Sequence, residues 1–233
     1  MFAICKKELR QFFSGLTGYL AIIIFLLLSS LFLFLFDYGY ATLDTFFELA
    51  PWILLLLIPA VTMRSFADEF KSGTYEILVT RPLSKWQIIS GKYFASLIIV
   101  TIALLPTLIY VFTIKSLSTG GIDSGGITGS YIGLIFLSGA FTAIGICCSS
   151  FTSNAVVAFL ASAFACFVLY SGFAAISGIP SLQGGWDYAV EMIGIDFHYR
   201  SLSRGVVDSR DMIYFLSIIV FFLFITRKKL LNR

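Results

Sequence analysis

The sequence predicts an all-α membrane protein, and three observations point to it. Hydrophobic residues make up 58% of the 233-residue chain and charged ones only 12%, against roughly a quarter charged in soluble domains. The apolar residues gather in six blocks, about 17–36, 46–63, 93–114, 131–150, 155–176 and 212–226. Most of these reach the roughly 20 residues a helix needs to cross about 30 Å of hydrocarbon. The blocks are also continuous, which fits helices rather than the short alternating strands of a membrane barrel.

Each element follows from local pattern. In residues 1–16, Phe2, Leu9, Phe12, Phe13 and Leu16 fall near one helical face, with Lys6, Lys7, Glu8 and Arg10 largely elsewhere. That pattern predicts a helix lying in the membrane interface, with a plain basic flank as the simpler alternative. The first apolar block is too long for the core of a cleavable signal and is expected to stay as a span. After the second block comes a polar interruption, 64–92, carrying Asp68, Glu69, Lys71, Glu76, Arg81, Lys85 and Lys92. It is longer than a turn between spans requires and has helix signals of its own, as a docking surface for a cytoplasmic partner would. Gly73 and Thr74 open a short helix over Tyr75, Glu76, Ile77, Leu78 and Val79, which Arg81-Pro82 stops, because a residue before proline avoids the helical region. Ser84-Lys-Trp-Gln87 then matches a capping box and starts a helix that runs into the third block.

Pro59 and Pro106 are candidates to kink the second and third spans. Residues 115–130 are rich in Gly and Ser and read as a flexible connection. Phe151-Thr-Ser-Asn154 reads as a tight turn whose Asn or Ser caps the next helix. The 177–211 segment mixes Trp186, Tyr188, Met192 and Phe197 with charges, which suits short helices at the outer interface. The last apolar block is short, so its helix is expected to begin near Asp211, with Arg227 snorkelling at the other end. Gly133, Gly139, Ala143, Gly145 and Ser149 in the fourth span, and Ala158, Ser162 and Ala165 in the fifth, permit close helix approach inside one subunit or between two.

Charge sets the expected orientation. With both termini inside, the inner segments hold Lys6, Lys7, Arg10, Arg64, Lys71, Arg81, Lys85, Lys92, Arg227, Lys228, Lys229 and Arg233, and the outer ones only Lys115, Arg200, Arg204 and Arg210. The positive-inside rule therefore predicts cytoplasmic termini. The formal charge of +3 is a topology signal and gives no reason to expect nucleic-acid binding. None of the four cysteines, Cys5, Cys147, Cys148 and Cys166, falls on an outer loop, so packing is expected of them rather than a disulfide framework.

These elements, in this order, resemble the permease subunit of a type 2 ABC exporter. The match is carried by the amphipathic start, the six spans, a Glu-x-x-x-Gly-Thr-x-Glu run at Glu69–Glu76, a Pro-Leu-Ser-x-x-Gln-Ile-Ile-x-Gly-Lys run at Pro82–Lys92, and the short turn after the fourth span. The 198–211 run, with Ser203-Arg-Gly-Val-Val-Asp-Ser-Arg-Asp211, is most similar to permeases of the gliding-motility ABC transporter.

The resemblance implies a single transmembrane permease domain over 1–233, with an N-terminal interfacial helix (1–16), a cytoplasmic coupling segment with its coupling helix (64–92) and an outer interfacial segment (177–211). It also implies a separate ABC ATPase subunit, a second permease chain, identical or related, and an inner-membrane location; an auxiliary membrane protein is a further possible partner. ATP and Mg belong to the ATPase, and no cofactor is expected on this chain. No Walker A motif is present, since the nearest candidate, Gly91-Lys92, is followed by Tyr93 and has Trp86 where the first glycine should stand. Asp68, Glu69, Gly73, Thr74, Tyr75, Glu76, Ile77 and Leu78 are the implied coupling residues. Tyr75, Ile77 and Leu78 would fill a groove of the ATPase, and the acids would meet its basic residues. Ala158, Ser162 and Ala165 are the expected subunit interface.

Two other readings compete. A membrane scaffold of a secretion or motility complex could use the same fold. An intramembrane enzyme would draw on His198, the only histidine, with Ser201, Ser203 and Asp196 nearby. The enzyme reading is disfavoured because no serine stands in a nucleophile-elbow context and no buried ionic pair is evident in the spans. No array of charges in the spans selects a substrate.

Overall fold

The computed structural model describes residues 1–36, 43–80, 82–117, 123–179, 187–205 and 208–232. Asp37, Arg81, Trp186, Arg233 and parts of the 115–130, 177–211 and 203–211 runs lie outside the described residues. No strand occurs among the described residues. The chain starts with α1 (Phe2–Ser14) and α2 (Leu16–Phe36), whose axes meet at 73°. Gly18 sits inside that elbow, where a Cβ would run into the Phe12 carbonyl and ring. α1 thus departs steeply from the span, as a helix lying in an interface must.

α3 (Asp44–Thr62) and α4 (Arg64–Ser72) form one run of 29 residues, ended by Gly73 in the left-handed conformation at φ 69°. Glycine adopts that backbone without penalty and so closes the helix. α5 (Thr74–Val79) follows. The predicted capping box is formed, with Ser84 and Gln87 bonded reciprocally at the start of α6 (Lys85–Leu104). Pro106 breaks this helix into a short 3₁₀ turn, Leu105–Thr107, before α7 (Leu108–Leu117) completes a run of 32 residues, Lys85–Ser116. Pro59, in contrast, lies within α3 without ending it. At 1.5 Å per residue these two runs measure about 43 and 48 Å, so they outreach a hydrocarbon core of about 30 Å and carry α5 away from it.

α8 (Ser124–Ser149) is followed, after a turn in which Asn154 caps the next helix through Val156 N, by α9 (Ala155–Phe167). A π turn, Val168–Gly172, joins α9 to α10 (Phe173–Ser177). The short α11 (Asp187–Glu191) and α12 (Ile195–Ser203) precede α13 (Ser209–Leu231), capped by Asp208. Among the described residues five helical runs are long and apolar enough to cross a membrane, and the bent pair α1–α2, counted as one broken span, makes up to six. The α13 helix starts three residues before its apolar block and extends past it, which resolves the shortness of that block.

α8 is the central post, 78% buried over its apolar window against 22% for α9–α10 and 17% for α13. Its glycines explain why. Gly133, Gly139 and Gly145 are six residues apart, and at about 100° per residue each step turns the side by about 240°. The three positions therefore face three directions about 120° apart, and each admits a different neighbour. Gly133 receives Tyr199 and Leu202 of α12, Gly139 the Tyr93 hydroxyl of α6 and Ile219 of α13, and Gly145 receives Thr62 of α3.

The small residues of α9 have a different use from the one expected. Ala158 and Ser162 are fully buried within the chain, and Ala165 packs on the same core. The lean side of α9 faces α3 and α8 of its own bundle, because three close-packed helices need one another's small residues first. The outward side carries Val156, Leu160 and Phe164, each at least 60% exposed, so an interface made by α9 would use these residues instead.

A Cβ at Gly145 would overlap Thr62 Oγ1 in a fully buried contact. Gly145→Ala should cost about 1–3 kcal/mol of stability, the range for overpacking. Thr62→Ala in the same chain should recover much of it. Thermal unfolding of the purified protein in detergent checks this double-mutant cycle, and simple additivity would contradict the packing.

Candidate functional site

Both termini, the 64–92 segment and the 151–154 turn gather at one end of the bundle, here the loop end. Lys85 Nζ donates to the Leu230 carbonyl, the Arg227 guanidinium lies 5.3 Å over the Trp86 ring, and Lys229 Nζ lies 5.1 Å over Phe151. Arg227 is thus fixed by an aromatic face as well as by its basic surroundings.

The centre of the loop end is Lys92, 1% exposed. Its ammonium lies 2.9 Å from Glu8 Oε1 of α1, 2.9 Å from Glu69 Oε1 of α4 and 2.5 Å from the Ser65 carbonyl. An ammonium has three N–H donors, and each has a partner here. The Phe66 ring covers the same charge at 5.0 Å. Lys7 adds a second cation, 3.1 Å from Glu69 Oε1. Two cations and two carboxylates balance, which is the condition under which buried charge is tolerated. Three segments distant in sequence are thereby held at one point. Cys5, on α1 near Glu8, has its thiol pushed up by burial and then by that carboxylate, which favours the protonated thiol.

Ser149, at the end of α8, makes a second tie. Its hydroxyl accepts from Phe66 N at 3.0 Å and Ala67 N at 3.2 Å and donates to Met63 O at 2.9 Å. It satisfies the backbone at the α3–α4 junction and roots α4 in the central post.

These contacts change the roles expected of the predicted residues. Glu69 is turned inward onto Lys92 and Lys7, so it does not face a partner. Tyr75 is 7% exposed and packs with Phe66 and Phe70 at 6.4 and 5.1 Å; it anchors α5 to the chain rather than filling a foreign groove. Leu78 is half-buried against the same cluster. The exposed set is Gly73, Thr74, Glu76, Ile77 and Val79, with Ile77 at 63%. Asp68 is partly exposed and forms no ion pair among the described residues.

At the far end α12 is seated in the bundle. Tyr199 Oη donates to the Phe47 carbonyl at 2.7 Å, and the Ser203 and Ser130 hydroxyls meet at 2.9 Å. His198 Nδ1 is 2.6 Å from Asp211 Oδ1, its Nε2 2.9 Å from the Met192 carbonyl, and its ring stacks on Tyr214 at 3.7 Å. A carbonyl only accepts, so Nε2–H donates to Met192 and Nδ1 faces the carboxylate. Asp196 is held by Arg200 at 2.8 Å. With both imidazole nitrogens engaged and, among the described residues, no serine hydroxyl bonded to either, the residues suggested for a hydrolytic cluster form a structural clasp between α12 and α13. The buried polar clusters at the two ends, Lys92 with its two acids and His198 with Asp211, lie just outside the apolar blocks.

A bundle of span-length helices carrying a helical bracket at one end defines a multi-pass membrane protein. Residues 35–186, more than half of the chain, match the family described as ABC-2 family transporter protein. The chain belongs to that family and is the permease component of an ABC transporter. Membership implies a membrane setting, a transmembrane part without its own ATPase site, and an ABC ATPase as partner. No curated protein sequence matches the chain.

Sequence reasoning missed Glu8, Ser65 and Ser149 as partners and met Lys92 only as a charge of the loop and a failed Walker lysine. The available signal was a lysine beside Ile88, Ile89 and Tyr93 at the start of an apolar run, since a charge in such a position requires a counter-charge.

Lys92→Met would leave the buried Glu69 and the part-buried Glu8 with only the half-exposed Lys7 nearby. It should lower stability by about 3–5 kcal/mol, the cost of breaking a buried pair. Adding Glu8→Gln and Glu69→Gln should restore most of the loss. The readout is thermal unfolding in detergent, and an unchanged melting temperature for Lys92→Met would contradict the assignment.

Proposed function

We propose that this permease converts nucleotide-driven movement of a separate ATPase subunit into export across a bacterial inner membrane. The observation that carries the reading is α5: a six-residue helix beyond the end of a 29-residue run, showing Ile77 and Val79 outward while Tyr75 fixes it from behind. An exposed apolar pair with Glu76 beside it suits insertion into a groove of a partner. Movement of α5 would pass into α3 through α4, and into α6 and α1 through the Lys92 cluster, so the loop end would shift as a block. The ATPase would bind ATP and Mg.

The Lys and Arg residues gathered at the loop end support cytoplasmic termini under the positive-inside rule. The working unit is proposed to hold two permease chains, one for each half of an ATP-closed ATPase pair, meeting through exposed apolar faces such as Val156, Leu160 and Phe164 of α9. The narrower reading, in which the work serves gliding-motility machinery, rests on the resemblance of the 198–211 run alone.

Ile77→Asp should lower co-purification of the ATPase at least tenfold, because a charge would enter an apolar contact, while insertion and melting temperature stay unchanged. Leu78→Asp should in addition destabilise the loop. Undiminished ATPase association in Ile77→Asp would overturn the coupling role of α5.

A further inference from the structure

A groove of about 830 Å³ opens at the loop end between α1, α2, α3, α4 and α6, within the roughly 300–1,000 Å³ of small-molecule sites. Its two ends differ in chemistry. The walls are apolar, among them Ile24, Leu28, Trp52 and Leu56, all more than a third exposed, whereas the rim at the loop end carries Gln11, Arg64 and Asp68, together with Glu8, whose charge Lys92 already answers. The helical run from Leu49 to Arg64, along one wall, covers about 22 Å at 1.5 Å per residue. That is the thickness of a single leaflet including its headgroups, half of about 40–45 Å.

The rim also has a charge pattern. Arg64 and Asp68 are four residues apart on α4, both line the groove, and neither forms an ion pair among the described residues, with each other or with another group. A guanidinium suits a phosphate through its forked donors, and a carboxylate suits a primary ammonium as a charge-assisted acceptor. The two cannot both be answered by an anionic headgroup. A quaternary ammonium has no N–H to donate to Asp68, so it would leave that acceptor without the charge-assisted hydrogen bond a primary ammonium supplies.

We infer that this groove is a binding site for one phospholipid bearing a phosphate and a primary ammonium, with the phosphate on Arg64, the ammonium on Asp68 and an acyl chain along α2 and α3. Binding needs neither nucleotide nor the ATPase, so it stands or falls separately from the proposed coupling. Asp68, expected from sequence to meet the ATPase, is assigned here to the lipid.

The test is native mass spectrometry of the purified full chain titrated with phosphatidylethanolamine, phosphatidylglycerol and phosphatidylcholine of identical acyl composition. One phosphatidylethanolamine should be retained at least tenfold more tightly than either of the others. Asp68→Asn and Arg64→Gln, at solvent-reached positions, should each abolish the preference without changing the melting temperature. Ala60→Phe, in the wall, should reduce retention of all three lipids. Equal retention of the three lipids, a preference that survives Asp68→Asn, or a second copy of the chain covering the groove with no lipid retained would each overturn the inference.

Discussion

A buried ammonium requires acceptors for its protons and counter-charge nearby, and at the loop end this requirement organises three otherwise separate segments. Lys92 draws Glu8 from α1, Glu69 from α4 and the Ser65 carbonyl from the start of α4. Apolar packing of Ile4, Phe66, Ile88 and Ile89 surrounds the cluster and lowers the local dielectric, so an unmatched charge there is costly. The interface helix, the projecting end of the second span and the start of the third therefore share one anchor. With Ser149 fastening the α3–α4 junction to α8, the bracket is part of the bundle and not a loop hung from it.

The rest of the bundle depends on how closely helices approach α8. Membrane helices gain little hydrophobic free energy from meeting one another in lipid, so packing and hydrogen bonds decide which contacts persist. Three glycines facing three directions give α8 a different neighbour on each side, while Tyr199, His198 and Ser203 tie α12 to α3, α13 and α8 by hydrogen bonds at the far end. The two ends thus have opposite character. The far end is clasped, and the loop end is anchored at Lys92 but leaves Ile77, Val79 and the groove beside Arg64 open.

Much of this was legible locally. The Ser84–Gln87 capping box, the Asn154 cap, the glycine stop at 73 and the six apolar blocks depend on residues a few positions apart, and the helices follow them. Orientation of side chains across the bundle was not legible in that way. Apolar residues at 75, 77, 78 and 79 form no stripe in a six-residue helix, so sequence could not separate inward Tyr75 from outward Ile77. Small residues in α9 announce a close neighbour without naming it, and the neighbour is the chain itself. Lys92 and Glu8 are 84 residues apart, a distance at which charge shows a need for a partner but not its identity.

The central claim is that the 64–72 helix is rigidly continuous with the bundle through Lys92, Glu69 and Ser149. Hydrogen–deuterium exchange of the full chain in lipid nanodiscs measures this directly. Amides of Phe66 and Ala67 are expected to exchange as slowly as those of Ile88–Lys92 in α6, and both sets are expected to quicken together in Glu69→Gln. Exchange of 64–72 at the rate of an exposed loop, unmoved by Glu69→Gln, would show that the bracket is not anchored there and would contradict the mechanism built on it.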